Sequence, residues 1–533
     1  MGTQGINPMN NEEPTIFLFS ARFGNEKTPM NNEEPTIFIS SIGLGDYIPT
    51  FYTVDGKQSV QAKFVQNAIR KLFAPNASAI IFATRKALDK FFPEDNEPLK
   101  LPQAKRARDG AEMDALFQLY RQNFYQECSR LGLDAPKTIM IPDGKNMDEL
   151  WEIFNKLYEA IPENARICFD PTHAFRHHPI IMTILFNYLR IIKNVKVVRC
   201  EYGAFELNKK QNELREHING LLEDAPATTA DRKKEDSDET EDSSPLFPLT
   251  EFFQLNDWTN AIHDFLEYGR TNALEELVEK NNCMNGTKAS GDILHFVSAL
   301  EKLANHALFS NLHEIELLNF KEDILNPLKE IQNAKENLNI LPQLSPLFGK
   351  IERQLDELLF SPMPSWKNGF AMARWCCKFR LHPQLYTILQ ETCVSASIDI
   401  FLKPDCSICS ETELKEAHLI KGSQSKTIKD QRDYMSCLLA VTQKEDEWKY
   451  PLILKVPKDG EKGDDTRKLL SIRILANGTF QDIREKYHDI TNKRNAINHG
   501  FTGSHSNISE DGIQQDVEKM IDDIEAIFIT LCS

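Results

Sequence analysis

Between Thr36 and Cys200, short apolar runs alternate with longer stretches of helical spacing, and no other feature of this 533-residue chain constrains its fold as much. The first run, Thr36-Ile37-Phe38-Ile39-Ser40-Ser41-Ile42, stops at Gly43-Leu44-Gly45, as a buried strand does. Ala79 to Thr84, Thr138 to Ile141, Ala165 to Asp170 and Val195 to Cys200 repeat the pattern. Gln58 to Phe73, Met113 to Leu131, Met147 to Ala160 and Ile180 to Ile192 place apolar residues at helical intervals between them. This order predicts an α/β domain, a parallel sheet with helices on both faces. The strands are apolar throughout rather than at alternate positions, as strands covered on both sides are.

From Glu251 onward the pattern is helical. Glu251 to Tyr268, Asn272 to Glu279, Gly291 to Ala307, Leu347 to Phe360, Asn368 to Phe379, Gln384 to Ala396 and Ile513 to Leu531 carry apolar stripes near period 3.6. Asp224 to Pro245 separates the halves; polar, mostly acidic and without large apolar side chains, it has too little to bury to order itself. Near the start, Met9 to Phe17 recurs as Met30 to Phe38. A single duplication is not a solenoid. The expected organisation is a disordered leader or gene-start remnant over 1–29, a ligand-sensing α/β domain over 30–223, an acidic linker over 224–247 and an all-α domain over 248–533.

The net charge of −17 argues against a protein that coats nucleic acid through a broad basic face, while leaving room for an enzyme that touches RNA briefly. Eleven cysteines are scattered without a disulfide-like framework, and no apolar run approaches the ~20 residues that span a bilayer. A soluble, cytoplasmic protein is expected.

Ligands of parallel sheets sit beyond the carboxyl ends of the strands. Two stretches fall there. Ser40-Ser41-Ile42-Gly43-Leu44-Gly45-Asp46-Tyr47 offers hydroxyls and glycines that let backbone approach a phosphate or base; a plain tight turn is the competing reading. Asp170-Pro171-Thr172-His173-Ala174-Phe175-Arg176-His177-His178-Pro179 leads into a helix, whose first amides with Thr, His and Arg side chains suit an anion. A metal on His173, His177 and His178 lacks a completing carboxylate or cysteine. Cys406 and Cys409, with Cys393 and His418, match no standard zinc spacing, and buried thiols are the simpler reading.

Near the carboxyl end, Gln481 to Ile490 is a charged helical run that continues into Lys493-Arg494-Asn495-Ala496-Ile497-Asn498-His499-Gly500. Asn495 and His499 share a helix face. Arg494 and His499 lie about 140° apart, so one substrate reaches both only if the last turn loosens, which Gly500 permits. An arginine matches a phosphate with its fork of donors, and a histidine moves protons near neutral pH. Such a pair can cleave RNA without metal: a 2′-hydroxyl attacks phosphorus, Arg494 steadies the phosphate and His499 transfers the proton. A solvated helix end is the competing reading.

Taken jointly, these stretches resemble a known family. Asp170-Pro171-Thr172-His173-Ala174-Phe175-Arg176 is similar to the Asp-x-Thr-His-Gly-Phe-Arg motif of CRISPR-associated proteins with a Rossmann-like CARF sensor domain. Ser41 to Tyr47 resembles that family's first-strand turn and Tyr202-Gly203-Ala204-Phe205-Glu206 its last strand; Pro248 to Phe252 through Tyr268 and Gly269 resembles the entry to its helical half. Arg494-x4-His499 resembles the catalytic motif of HEPN ribonucleases, and the resemblance covers nearly the whole chain from about Glu33. Ala174 stands where the family has glycine.

The resemblance implies a type III CRISPR effector. A cyclic tetra- or hexa-adenylate would bind Ser40, Ser41, Gly43, Gly45, Thr172, His173 and Arg176 across a homodimer, or a higher homo-oligomer. It would switch on cleavage of single-stranded RNA by Arg494, His499 and Asn495. No cofactor or metal is implied, and no membrane. Two other readings stand beside it: a sensor that acts through a partner without catalysis, and a ring nuclease degrading the cyclic nucleotide through Thr172 or Ser41.

Overall fold

A computed structural model describes residues 35–45, 47–54, 58–93, 98, 110–173, 177–208, 243–285, 288–333, 342–404, 408–420, 424–441, 461–502, 509, 511, 513 and 516–532. The expected leader, residues 224–242 of the expected linker, Arg176 and Cys406 lie outside them. The chain divides into two compact units, one up to Thr250 and one from Glu251.

In the first unit the strands are β1 (Thr36–Ile42), β2 (Thr50–Val54), β3 (Gln58–Ala62), β4 (Ser78–Ala83), β5 (Lys137–Met140), β6 (Arg166–Asp170), β7 (Lys196–Gly203) and β8 (Ser243–Pro248). The helices are α1 (Val65–Phe73), α2 (Arg85–Phe91), α3 (Gly110–Arg121), α4 (Phe124–Leu131), α5 (Met147–Ala160) and α6 (His177–Ile192). One eight-stranded sheet runs β3-β2-β8-β7-β6-β1-β4-β5. Pairing is parallel from β7 through β6, β1 and β4 to β5, and antiparallel for β2–β3 and β7–β8. The chain builds outward from β1 through β4 to β5, then returns to lay β6 and β7 on the opposite side. The order therefore reverses between β1 and β6, which opens a crevice at their carboxyl ends.

All five expected strands form. Six of the seven residues of β1 are buried, as its continuous apolarity requires. The helix expected from Gln58 is a correction: Gln58–Ala62 is a strand paired with Thr50–Val54, and the helix starts only at Val65. Its entry is fixed from elsewhere. The buried Glu127 carboxylate, on α4, accepts from the amides of Lys63 (2.6 Å) and Phe64 (3.1 Å) and from the Asn67 side chain (3.1 Å), satisfying donors a helix start leaves open.

The single helix expected over Met113 to Leu131 is two. Asn123 caps the second, accepting from the Gln126 amide at 2.8 Å while Gln126 reaches back to the Asn123 amide. Ser243–Pro248, expected to belong mostly to the linker, is a strand that inserts between β2 and β7 and buries Leu246.

The regular elements among the described residues of the second unit are helices, and each expected helix there is present. Leu312–Leu317, Asn326–Asn333, Glu411–Glu416, Gln424–Leu439 and Glu461–Leu475 add to them. Trp375, Phe370, Leu389, Tyr434, Ile483, Ile490 and Phe528 share its core, so these aromatics are packing groups. No helix among the described residues is long and apolar enough to cross a membrane.

Candidate functional site

The crevice of the first unit is built on one carboxylate. Asp170 ends β6 in register with Ser40 of β1, and Ser40 Oγ donates to Asp170 Oδ2 at 2.8 Å. The other oxygen, Oδ1, accepts from the Thr172 amide at 2.9 Å, which folds the chain into a tight Asx turn as it leaves the strand. Thr172 Oγ1 in turn accepts from the Gly203 amide at the end of β7, at 2.9 Å. Strands β1, β6 and β7 are thereby joined through two side chains in series, Asp170 and Thr172. Burial pushes the Asp170 carboxyl up to about 6, against the lowering effect of its hydrogen bonds to Thr172 and Ser40.

Above this network lies a cleft of about 300 Å³, lined by Ile42, Gly43, Leu44, Gly45, Tyr47, Thr84, Thr172 and His173. That is the lower end of small-ligand pockets. Tyr47 shapes one wall. Its hydroxyl accepts from the Gly43 amide at 3.0 Å and lies 3.3 Å from the Gly43 carbonyl, and its ring meets His173 edge-on with centroids 4.8 Å apart. Lys90 Nζ donates to the Leu44 carbonyl at 3.1 Å. A Cβ built on Gly43 or Gly45 meets nothing within 4 Å, so both present bare backbone to open space.

The predicted ligand residues therefore separate. Gly43, Gly45, Thr172 and His173 come together around the cleft. Ser40 and Ser41 are buried beneath it, Ser40 as the partner of Asp170. Sequence reasoning did not single out Tyr47, Thr84, Asp170 or Gly203. Tyr47, Asp170 and Gly203 lay inside the quoted stretches, and Thr84 follows strand β4, where the rule of carboxyl ends finds it.

Among the described residues, no group of three or more His, Cys, Asp or Glu is placed to hold a metal ion. His178 is buried in the first turn of α6, where desolvation lowers it to about 4 and keeps it neutral at physiological pH. Cys409 is buried with its thiol 3.3 Å from the Phe401 carbonyl.

In the second unit the helix Gly478–Asn498 carries the Arg-x4-His stretch. Its start is capped by Asn477, which accepts from the Phe480 amide at 3.0 Å. Its end is closed tightly: the Phe501 amide donates to the Ala496 carbonyl at 2.8 Å and the Gly500 amide to the Ile497 carbonyl at 3.1 Å. This is a Schellman closure with Gly500 at φ +60°. His499 is the C-cap residue, exposed, with its amide bonded to the Asn495 carbonyl at 2.9 Å. The last turn does not loosen, so Arg494 and His499 remain on faces about 140° apart. Arg494 and Asn495 are half-buried, and Arg494 Nε donates to Thr387 Oγ1 at 3.3 Å.

No protein-family profile matches the chain. Over 247 residues the chain is 20% identical to CRISPR-associated protein MJ1674 of Methanocaldococcus jannaschii, a stretch that covers 45% of this chain and 30% of that protein. The chain thus spans less than a third of the relative's length.

Proposed function

We propose that the chain is a cyclic-oligoadenylate-activated endoribonuclease of type III CRISPR defence, which cleaves single-stranded RNA without metal. In this reading residues 30–223 are the CARF sensor and 248–533 a HEPN-type helical domain. The observation that carries the reading is the meeting of Gly43, Gly45, Thr172 and His173 around one cleft where the strand order reverses. Two stretches about 130 residues apart in the chain converge where α/β sheets take their ligands. The similarity to a CRISPR-associated protein supports the same reading.

The residues suit their parts. Bare backbone at Gly43 and Gly45 lets a phosphate or adenine approach closely, and Thr172 and His173 offer side-chain hydrogen-bonding groups beside it. A ring of adenylates with two-fold symmetry fits an isologous homodimer, which sets the same turns on either side of it. The ligand activates because it binds the active arrangement more tightly than the inactive one.

On the RNA, the 2′-hydroxyl attacks the adjacent phosphorus and the 5′-oxygen leaves. Arg494 stabilises the charge on the pentacoordinate phosphate and His499 handles the proton. Because one helix end holds the two side chains on different faces, Arg494 of one copy working beside His499 of the other supplies the pair that one copy does not.

The test is to incubate the full chain with fluorescent single-stranded RNA, cyclic oligoadenylates of several ring sizes and EDTA. Cleavage that requires one ring, is lost in His499→Ala and leaves nucleotide binding unchanged supports the reading. RNA left intact with every ring, or cut equally well by H499A, overturns it.

A further inference from the structure

The helix His382–Phe401 brings a hydroxyl to the guanidinium of Arg494. Thr387 Oγ1 accepts from Arg494 Nε at 3.3 Å, and the same hydroxyl donates to the Pro383 carbonyl one turn back at 2.8 Å. A hydroxyl has one proton and two lone pairs. With the proton committed to Pro383, lone pairs are what Thr387 turns towards Arg494, so the polarity of the contact is fixed. A second cross-link runs between the same two helices, where Gln390 Nε2 donates to the Tyr487 hydroxyl at 3.0 Å. The framework behind the contact is therefore tied at two levels.

A guanidinium is planar, and its five N–H donors are rigidly related. Engaging Nε fixes the plane and leaves the Nη1 and Nη2 edge, the edge that meets a phosphate with two parallel bonds. An arginine without this hold loses more rotamer freedom in closing on the pentacoordinate phosphate of the transition state.

We propose that Thr387 is a positioning residue for the cleavage reaction, holding Arg494 at Nε so that its terminal nitrogens face the scissile phosphate. This rests on the ribonuclease reading above and adds to it a residue outside the Arg-x4-His motif.

The experiment uses the full chain, fluorescent single-stranded RNA and a saturating activating ring. Thr387→Val keeps the shape and removes the hydroxyl; it lowers kcat about tenfold and leaves KM within about twofold. Thr387→Ser restores kcat to within about twofold of wild type. In an Arg494→Ala background, T387V changes the residual rate less than about twofold, because nothing is left to position. Should T387V melt well below the wild type, Thr387→Ala replaces it in the same comparison. An active wild type matched by T387V overturns the assignment alone. So does a T387S as slow as T387V, or an equal loss from T387V in the R494A background. A wild type that cuts nothing with any ring overturns the ribonuclease reading and the assignment with it.

Discussion

Ser40 Oγ and Asp170 Oδ2 lie 2.8 Å apart across the boundary between β1 and β6, so the place where strand order reverses is held by a buried hydroxyl on a buried carboxylate. The cost of that burial should show in titration. The Asp170 carboxyl moves from an ordinary 3.8 up to about 6. Between those values the folded chain keeps a proton that the unfolded chain has shed. The group's contribution is therefore complete below pH 3.8 and is lost as pH rises through about 6. The shift corresponds to about 3 kcal/mol. Asp170→Asn has no such titration. In urea unfolding followed from about pH 4 to 7, the wild type is expected to lose stability relative to D170N up to about pH 6 and to run parallel with it above. A constant difference across that range would place the titration elsewhere.

At Gly203 the end of β7 packs against Val65, the first residue of α1. A Cβ there lies 2.3 Å from Val65 Cγ2, well inside contact distance, and Gly203 also donates its amide to Thr172. Gly203→Ala should destabilise the chain by about 1–3 kcal/mol through overpacking. It should also weaken cyclic-nucleotide binding, because the displaced amide is the one that orients Thr172. Removing the obstructing methyls with Val65→Ala in the same chain should recover part of both losses. Melting curves and titration calorimetry on the two variants read this directly, and a G203A chain as stable as wild type would contradict it.

How much of this was legible follows from where each determinant sits in the chain. The five parallel strands were readable because each carries its own short apolar run, as Ile37, Phe38 and Ile39 do within the buried β1. The hairpin of β2 and β3 was not. Val60 alternates with Ser59 and Gln61 on a half-buried strand, and the helix that follows owes its start to Glu127, over sixty residues away. Strand β8 was hidden for a similar reason: Ser243 to Pro248 gains its hydrogen bonds from β7 and β2, and its two serines and two prolines, with only Leu246 and Phe247 apolar, follow directly on an acidic, polar stretch. At the site, glycines and motif residues showed in the sequence, whereas the burial of Ser40 and Ser41 and the Thr387–Arg494 contact are tertiary facts.

Tyr47 clamps the glycine turn that lines the cleft, with its hydroxyl against both backbone groups of Gly43. Tyr47→Phe keeps the ring's contact with His173 and removes the clamp. The bond from Lys90 to the Leu44 carbonyl still holds the turn. Nucleotide affinity is expected to fall about tenfold, the effect of about one to two neutral hydrogen bonds. Thermal stability should fall modestly, since the two bonds to Gly43 are lost while the aromatic cluster of Tyr47 with Phe64 and Phe91 is retained. Calorimetric titration separates the two effects. Unchanged affinity in Y47F would mean that the turn keeps its shape without the phenol.

The helix end that carries His499 depends on two consecutive residues in the left-handed region, Gly500 at φ +60° and Phe501 at φ +58°. Phe501 is held there by packing against the core of the second unit, but Gly500 is exposed and relies on lacking a Cβ. Gly500→Ala should cost about 1 kcal/mol, the penalty of placing an L side chain in that region. Gly500→Asn should cost less, because asparagine tolerates the conformation. The comparison needs a control in the same helix. Gly478, the first helical residue, has no positive φ and open space where a Cβ would sit, so Gly478→Ala should be neutral or stabilising. Urea midpoints should therefore order the variants with G478A at or above wild type, G500N below it and G500A lowest. RNA cleavage should follow the same order for the two changes at Gly500, because the Schellman bonds they disturb hold the turn on which His499 stands. A G500A chain that loses stability but cleaves at the wild-type rate would show that this closure serves the fold and not the placement of the imidazole.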